Sequence, residues 1–236
     1  MARLAAPVLT LVAYVALLLG AGSLPELTPP GRAAMVAVIG PLVLLGLLAH
    51  HAGQLADRPR IVVVVAAAGA FMLGAIDPDT ARGEAVLAGT LLALPLGVLF
   101  ARTFDEGAFV VLLPAVVAVI DLVATFGSAT AESWPAFVGG GDRLTLLLPS
   151  WGADTAAGQI ALPTVLLLGA LQTYAVRERL RPAGAAVGMT VGLLGAYLVE
   201  WRFDRAAPQL AFVAIGFLIA ISDVLPRWVR AGRMWG

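Results

Sequence analysis

Residues 108–127 read AFVVLLPAVVAVIDLVATFG, and they place one acid, Asp121, inside an apolar run long enough to cross a membrane. A carboxylate at that depth costs about 2.5–3.5 kcal/mol on insertion scales and normally faces a bundle interior or a watery cavity. No other acid of the chain stands so far inside an apolar run. Asp121 is therefore a candidate functional group. The plainer reading is a helix-to-helix hydrogen bond, to Gln159 or Thr125.

Outward from this stretch, apolar runs cover 4–22, 33–50, 60–76, 84–101, 108–126, 157–175, 183–199 and 207–224. They predict an all-α, polytopic integral membrane bundle of about eight transmembrane helices. Alternating barrel strands of about ten residues are not seen. Residues 1–106 would hold the first four helices and 107–236 the other four, with a long loop at 127–156. The first run, with one Arg before it and Ala-Gly-Ser after it, could pass for a leader. The spans behind it favour a first transmembrane helix.

Composition agrees: 60% of residues are hydrophobic, 13% are charged and the mean hydropathy is +0.94. The chain has no Cys, which excludes disulfide and thiol chemistry. All 15 basic residues are Arg, the net charge is zero and no basic run occurs, so nucleic acid is excluded as a partner and the lipid bilayer remains. With eight spans, ten Arg (3, 58, 60, 102, 177, 179, 181, 227, 230, 233) fall on the side of the termini and five (32, 82, 143, 202, 205) on the other. That split places both termini in the cytoplasm of a multi-pass protein, in a cell (inner) membrane, and the 127–156 loop outside.

The 127–156 loop holds Gly139-Gly140-Gly141-Asp142 and a short apolar run, Leu144 to Leu148, ending at Pro149. The run is too short to span, and predicts a strand or a re-entrant piece beside the Asp121 helix. Gly184, Gly188 and Gly192 recur at spacing four and predict a close helix-packing face. Pro41, Pro95 and Pro114 lie inside runs and predict kinks. His50 and His51 point to different faces of a helix, so with Asp57 they read as an interfacial pair, not a metal site. Trp134, Trp151, Trp201, Trp228 and Trp235 read as interfacial anchors. Glu200 and Asp223, at helix ends, read as solvated interfacial charges.

The last four runs share an order of motifs. Ile120-Asp121-Leu122 in mid-helix is followed by a loop with a short apolar run ending in proline. Next comes Gly158-Gln159-Ile160-Ala161-Leu162-Pro163, then a Gly-rich helix, and a last helix opening Pro208-Gln209-Leu210. This order resembles the presenilin and signal peptide peptidase family of intramembrane aspartyl proteases, over residues 108–220. That family carries Tyr-Asp on one helix, Gly-x-Gly-Asp before a proline on the next, and Pro-Ala-Leu on the last. The resemblance implies catalysis by two aspartates without cofactor or metal, on single-span transmembrane peptides. It also implies substrate contacts at Gly158, Pro163, Pro208, Gln209 and Leu210.

Three positions depart from the family. Ile120 replaces its tyrosine, Gln209 its alanine, and Gln159 stands where the second catalytic aspartate belongs. An aspartic dyad shares one proton: the ionised acid activates water and the protonated one donates to the scissile carbonyl. The Gln amide holds a water but does not exchange protons at working pH. The resemblance thus implies a catalytically impaired homologue that binds membrane segments. Alternatives are an active protease pairing Asp121 with Asp142, and a small transporter or lipid-binding protein. A transporter predicts paired broken helices in two related halves, and no such repeat is seen.

Overall fold

In the computed structural model the described residues are 2–25, 30–76, 82–126, 144–152, 156–203 and 207–231. The elements are α1 (Ala2–Gly20), a 3-10 turn (Ala21–Ser23), α2 (Pro30–Gln54), α3 (Pro59–Ala75), α4 (Arg82–Thr103), α5 (Phe109–Phe126), β1 (Thr145–Pro149), β2 (Ala156–Ala161), α6 (Leu162–Arg177), α7 (Pro182–Phe203), α8 (Gln209–Ile221) and α9 (Leu225–Arg230). The architecture is mostly helical, and a helix forms in each of the eight apolar runs. Among the described residues, stretches of α1, α2, α4, α5 and α7 are long and apolar enough to cross a membrane, by length and composition. Helices α3 and α8 are shorter, at 17 and 13 residues.

Helices α4 and α6 carry buried residues around most of their circumference and form the centre of the bundle. They cross at glycines. A Cβ on Gly97 would run into the Leu166 carbonyl, and one on Gly169 into the Leu94 carbonyl. Helix α7 lies on α8 in the same way. Gly188 faces the Gly216 carbonyl and Gly192 the Phe212 carbonyl, while the nearest neighbour of Gly184 is the Arg181 Cβ at 3.6 Å. Outward faces stay apolar: Leu9, Phe71, Val123, Phe126, Val187 and Ile219 are all exposed, as suits a lipid-facing surface.

The all-α expectation has one exception, an antiparallel hairpin of β1 and β2. Gln159 therefore sits on a strand, and the helix expected from 157 begins at Leu162. Pro163 supplies the reason. It has no N–H to offer the carbonyl four residues back, that of Gln159, and its ring would clash there, so the helix does not extend upstream. Alternation does the rest: Leu146, Leu148 and Ile160 are buried, with Leu147 turned outward. Leu162 N–H closes the junction by donating to the Leu144 carbonyl at 2.8 Å.

The hairpin lies against the bundle wall. A Cβ on Gly89 of α4 would meet Leu146 Cδ2 at 2.6 Å, and one on Gly158 would meet Val38 Cγ2 of α2 at 3.2 Å. Val38 and Gly89 are each about two turns in from their helix starts, roughly 10 Å. The hairpin thus packs on α2 and α4 about two turns in from their ends, with Leu147 and Ala156 exposed.

Candidate functional site

Helix α5 buries one stripe, Val110, Pro114, Ala118, Asp121 and Ala124, and leaves Val119, Ile120, Leu122 and Val123 exposed. Asp121 thereby points into the protein, at 8% exposure. The stripe packs on α8, where Ala118 meets Ala211 and Ala214. Small side chains on both helices bring the α8 backbone within reach of the carboxylate. The Ala211 N–H donates to Asp121 Oδ2 at 2.9 Å. The Leu210 N–H interacts with the same carboxyl group.

These amides are among the unpaired donors of a helix's first turn. The residue at the α8 N-cap position is Pro208, which makes no side-chain cap. Asp121 fills that role from another helix, with its carboxyl group at the positive end of the α8 dipole. This gives the intramembrane acid a structural task and holds it at the opening of the 208–211 turn.

The hairpin reaches the same turn. The Gln159 carbonyl, freed by Pro163, accepts from Gln209 Nε2 at 2.8 Å and from the Tyr197 hydroxyl of α7. Gly158 makes room for this tyrosine, since a Cβ there would lie 2.7 Å from Tyr197 Cε1. Two acceptors remain: Gln209 Oε1 and Glu200 Oε2 are buried and have no hydrogen-bond partner. Glu200 lies near enough to Tyr197 to act on its hydroxyl electrostatically.

Of the residues singled out in the sequence, Asp121, Gly158, Gln159, Pro208, Gln209 and Leu210 come together at this turn. Pro163 stands apart, exposed at the start of α6. Asp142, Trp134 and Trp235 lie outside the described residues. Two members of the cluster were not anticipated as site residues. Tyr197 was passed over, and Glu200, expected as a solvated charge, has a buried carboxylate oxygen. The signal for both was Tyr197-x-x-Glu200, two polar groups on one face near the end of an apolar helix. Asp223, by contrast, is exposed and pairs with Arg181 at 2.7 Å.

Elsewhere, His50 Nδ1 lies 3.1 Å from Gln172 Nε2 and His50 Nε2 lies 2.9 Å from Gln54 Nε2, so the ring belongs to a polar contact between α2 and α6. Trp228, expected as an interfacial anchor, is buried with its Nε1–H donating to Glu178 at 3.0 Å.

Chemically, the cluster offers one carboxylate held by main-chain amides, one strand carbonyl held by side chains, and two acceptors to spare. No protein-family model, no curated protein and no solved structure matches the chain.

Proposed function

We propose that this chain is a presenilin-like intramembrane aspartyl protease homologue that has lost catalysis and binds single membrane-spanning segments. One observation carries the reading. The Asp121 carboxylate and the Gln159 strand both hydrogen-bond to the same first turn of α8, 209–211, so three motifs far apart in sequence meet at one place. In this reading Asp121 is the surviving member of a dyad, and Gln159 occupies the place of the other. The chain spans a cell membrane about eight times with both termini in the cytoplasm, as the Arg distribution favours.

Loss of one dyad member removes either the acid or the base, each worth roughly 10²–10⁴-fold in rate. The test is to incubate the purified chain, in liposomes, with a panel of single-span peptides. The unmodified chain binds peptides without cutting them. Gln159→Asp cuts, and the added change Asp121→Ala abolishes the cutting. Cleavage by the unmodified chain that disappears in Asp121→Ala would show an active protease, with Asp142 the first candidate for the second acid. Failure to bind any peptide would refute the segment-binding reading.

A further inference from the structure

We propose that the cleft between α1 and α3 holds one acyl chain of an anionic phospholipid, whose headgroup phosphate is met by Arg58 and Arg60. The cleft lies away from the 208–211 turn, and the proposal does not rest on the segment-binding reading.

Helix α1 packs on α2 and α4, and α3 packs on α4. Between α1 and α3 lies a half-open cavity of about 150 Å³. Leu11 of α1 and Val62 and Val65 of α3 form its walls, and Leu94 and Val98 of α4 its floor. Thr90 and Val98 both line it, so it follows α4 for roughly 12 Å. Of the lining side chains only Thr90 and His51 carry polar atoms, and the Thr90 hydroxyl is engaged with the Tyr14 hydroxyl at 3.0 Å. An apolar cavity of about this size excludes water and takes an apolar guest. The same two helices expose Val8, Leu9, Val63 and Val64, so the open side meets lipid. A helix, about 10–12 Å across, is too thick for the cleft, whereas an extended hydrocarbon chain enters it. Methylene groups there give the walls the dispersion contacts that a void denies them.

The charge at one end selects the headgroup. Leu55 and Ile61 both line the cleft, and a hydrogen-bonded turn joins them. The Arg58 N–H donates to the Leu55 carbonyl at 2.8 Å, and the Ile61 N–H donates to the Arg58 carbonyl at 3.0 Å. Arg58 and Arg60 therefore stand at the end of the cleft, and both are exposed. The ion pairs among the described residues are Arg177 with Asp105 and Arg181 with Asp223, so neither of these two arginines is paired. The turn also carries Asp57, and Arg102 joins it by donating to the Ala56 carbonyl. Positive charge prevails. Guanidinium groups pair a phosphate by charge-assisted hydrogen bonds, and their stems snorkel along apolar surface to reach it. An acyl chain hung from that phosphate runs down the cleft.

The experiment uses the full chain, purified in detergent and stripped of lipid. It is titrated with phosphatidylglycerol or phosphatidylcholine of the same acyl chains, and bound lipid is counted by native mass spectrometry. One phosphatidylglycerol binds per chain, roughly tenfold more tightly than phosphatidylcholine, the scale of two basic side chains at an anionic headgroup. In the double variant Arg58→Gln, Arg60→Gln the two lipids bind alike. In Val65→Phe, whose ring takes up the cleft, neither binds tightly. Phosphatidylglycerol with a photoreactive acyl chain labels α1 near Leu11, α3 near Val65 and α4 between 90 and 98. Equal binding of the two lipids to the unmodified chain, or a preference that survives in the double variant, would overturn the proposal. Labelling spread evenly over α5 and α7 as well would mean ordinary contact with bulk lipid, with the same consequence. Displacement by glycerol phosphate alone would make this a free-phosphate site, and displacement by an apolar single-span peptide would seat a helix there; either overturns the lipid. Labelling of the unmodified chain decides the matter where Val65→Phe does not fold.

Discussion

Replacing Asp121 tests whether the intramembrane acid is held as the cap of α8. Asp121→Ala removes the acceptor of the Ala211 N–H, now 2.9 Å from Oδ2. The residue at the N-cap position, Pro208, supplies no side-chain substitute. Loss of a side-chain N-cap costs about 1–2 kcal/mol in soluble proteins. Side-chain hydrogen bonds inside membrane bundles average about 0.6 kcal/mol and reach about 1.7. The two ranges overlap above 1 kcal/mol, and the burial of Asp121 places it at that upper end. Opening of the first turn of α8 should then become easier by about 1.4 kcal/mol, a tenfold rise in hydrogen exchange at the Leu210 and Ala211 amides. Asp121→Asn keeps an oxygen in the same place, and its exchange should rise less than threefold. Exchange is read by mass spectrometry of the peptide covering 207–216 in detergent. Unchanged exchange in Asp121→Ala, or equal rises in Ala and Asn, would refute the capping argument. The first outcome would mean the amides have another partner. The second would mean the oxygen is not what holds them.

Two further substitutions follow from glycine contacts. Gly158→Ala puts a Cβ 2.7 Å from the Tyr197 ring and 3.2 Å from Val38, so it should destabilise the fold by about 1–3 kcal/mol in a detergent-unfolding titration; adding Tyr197→Leu should recover part of that loss. Along α7, Gly188→Ala meets the Gly216 carbonyl and should lower the melting temperature, whereas Gly184→Ala, whose nearest neighbour is the Arg181 Cβ at 3.6 Å, should not.

The helices were legible because composition alone announces them. Eight apolar runs separated by Gly, Pro and charge leave little choice. What was missed has specific causes. Residues 156–161, Ala-Ala-Gly-Gln-Ile-Ala, are as apolar as the helix that follows, so a hydropathy reading runs straight through them. The boundary is stereochemical: Pro163 cannot pair with the carbonyl of Gln159, and that fact was in the sequence. Helix α3 is short because its apolar run is itself short, and α8 ends at Ile221, before the polar Ser222-Asp223 that the hydropathy reading ran through. Glu200 was misjudged because proximity to a helix end suggests water. One of its carboxylate oxygens is nonetheless buried, which its place along the helix does not reveal.

The candidate site shows a deeper limit. Asp121 and Gln159 were both legible, but as side chains, and the recorded hydrogen bonds at Gln159 run through its carbonyl. A main-chain group is the same for every residue, so no sequence pattern marks it except a proline four residues on. This has a consequence for mutagenesis. Gln159→Ala keeps the carbonyl that Tyr197 and Gln209 hold, and the strand register with Leu147. It should therefore unfold within about 0.5 kcal/mol of the unmodified chain, the range of substitutions that touch no structural device. Gln209→Leu removes the donor to that carbonyl, strands a buried acceptor with one partner fewer, and should cost about 1 kcal/mol. The comparison is made by unfolding titration of both variants in the same detergent. A Gln159→Ala variant that loses as much stability as Gln209→Leu would mean that the Gln159 side chain itself holds the site. In that case Gln159→Asp would disturb the fold as well as the chemistry. With the expected result, the backbone fixes residue 159 whatever its side chain, and Gln159→Asp changes the side chain without disturbing the strand.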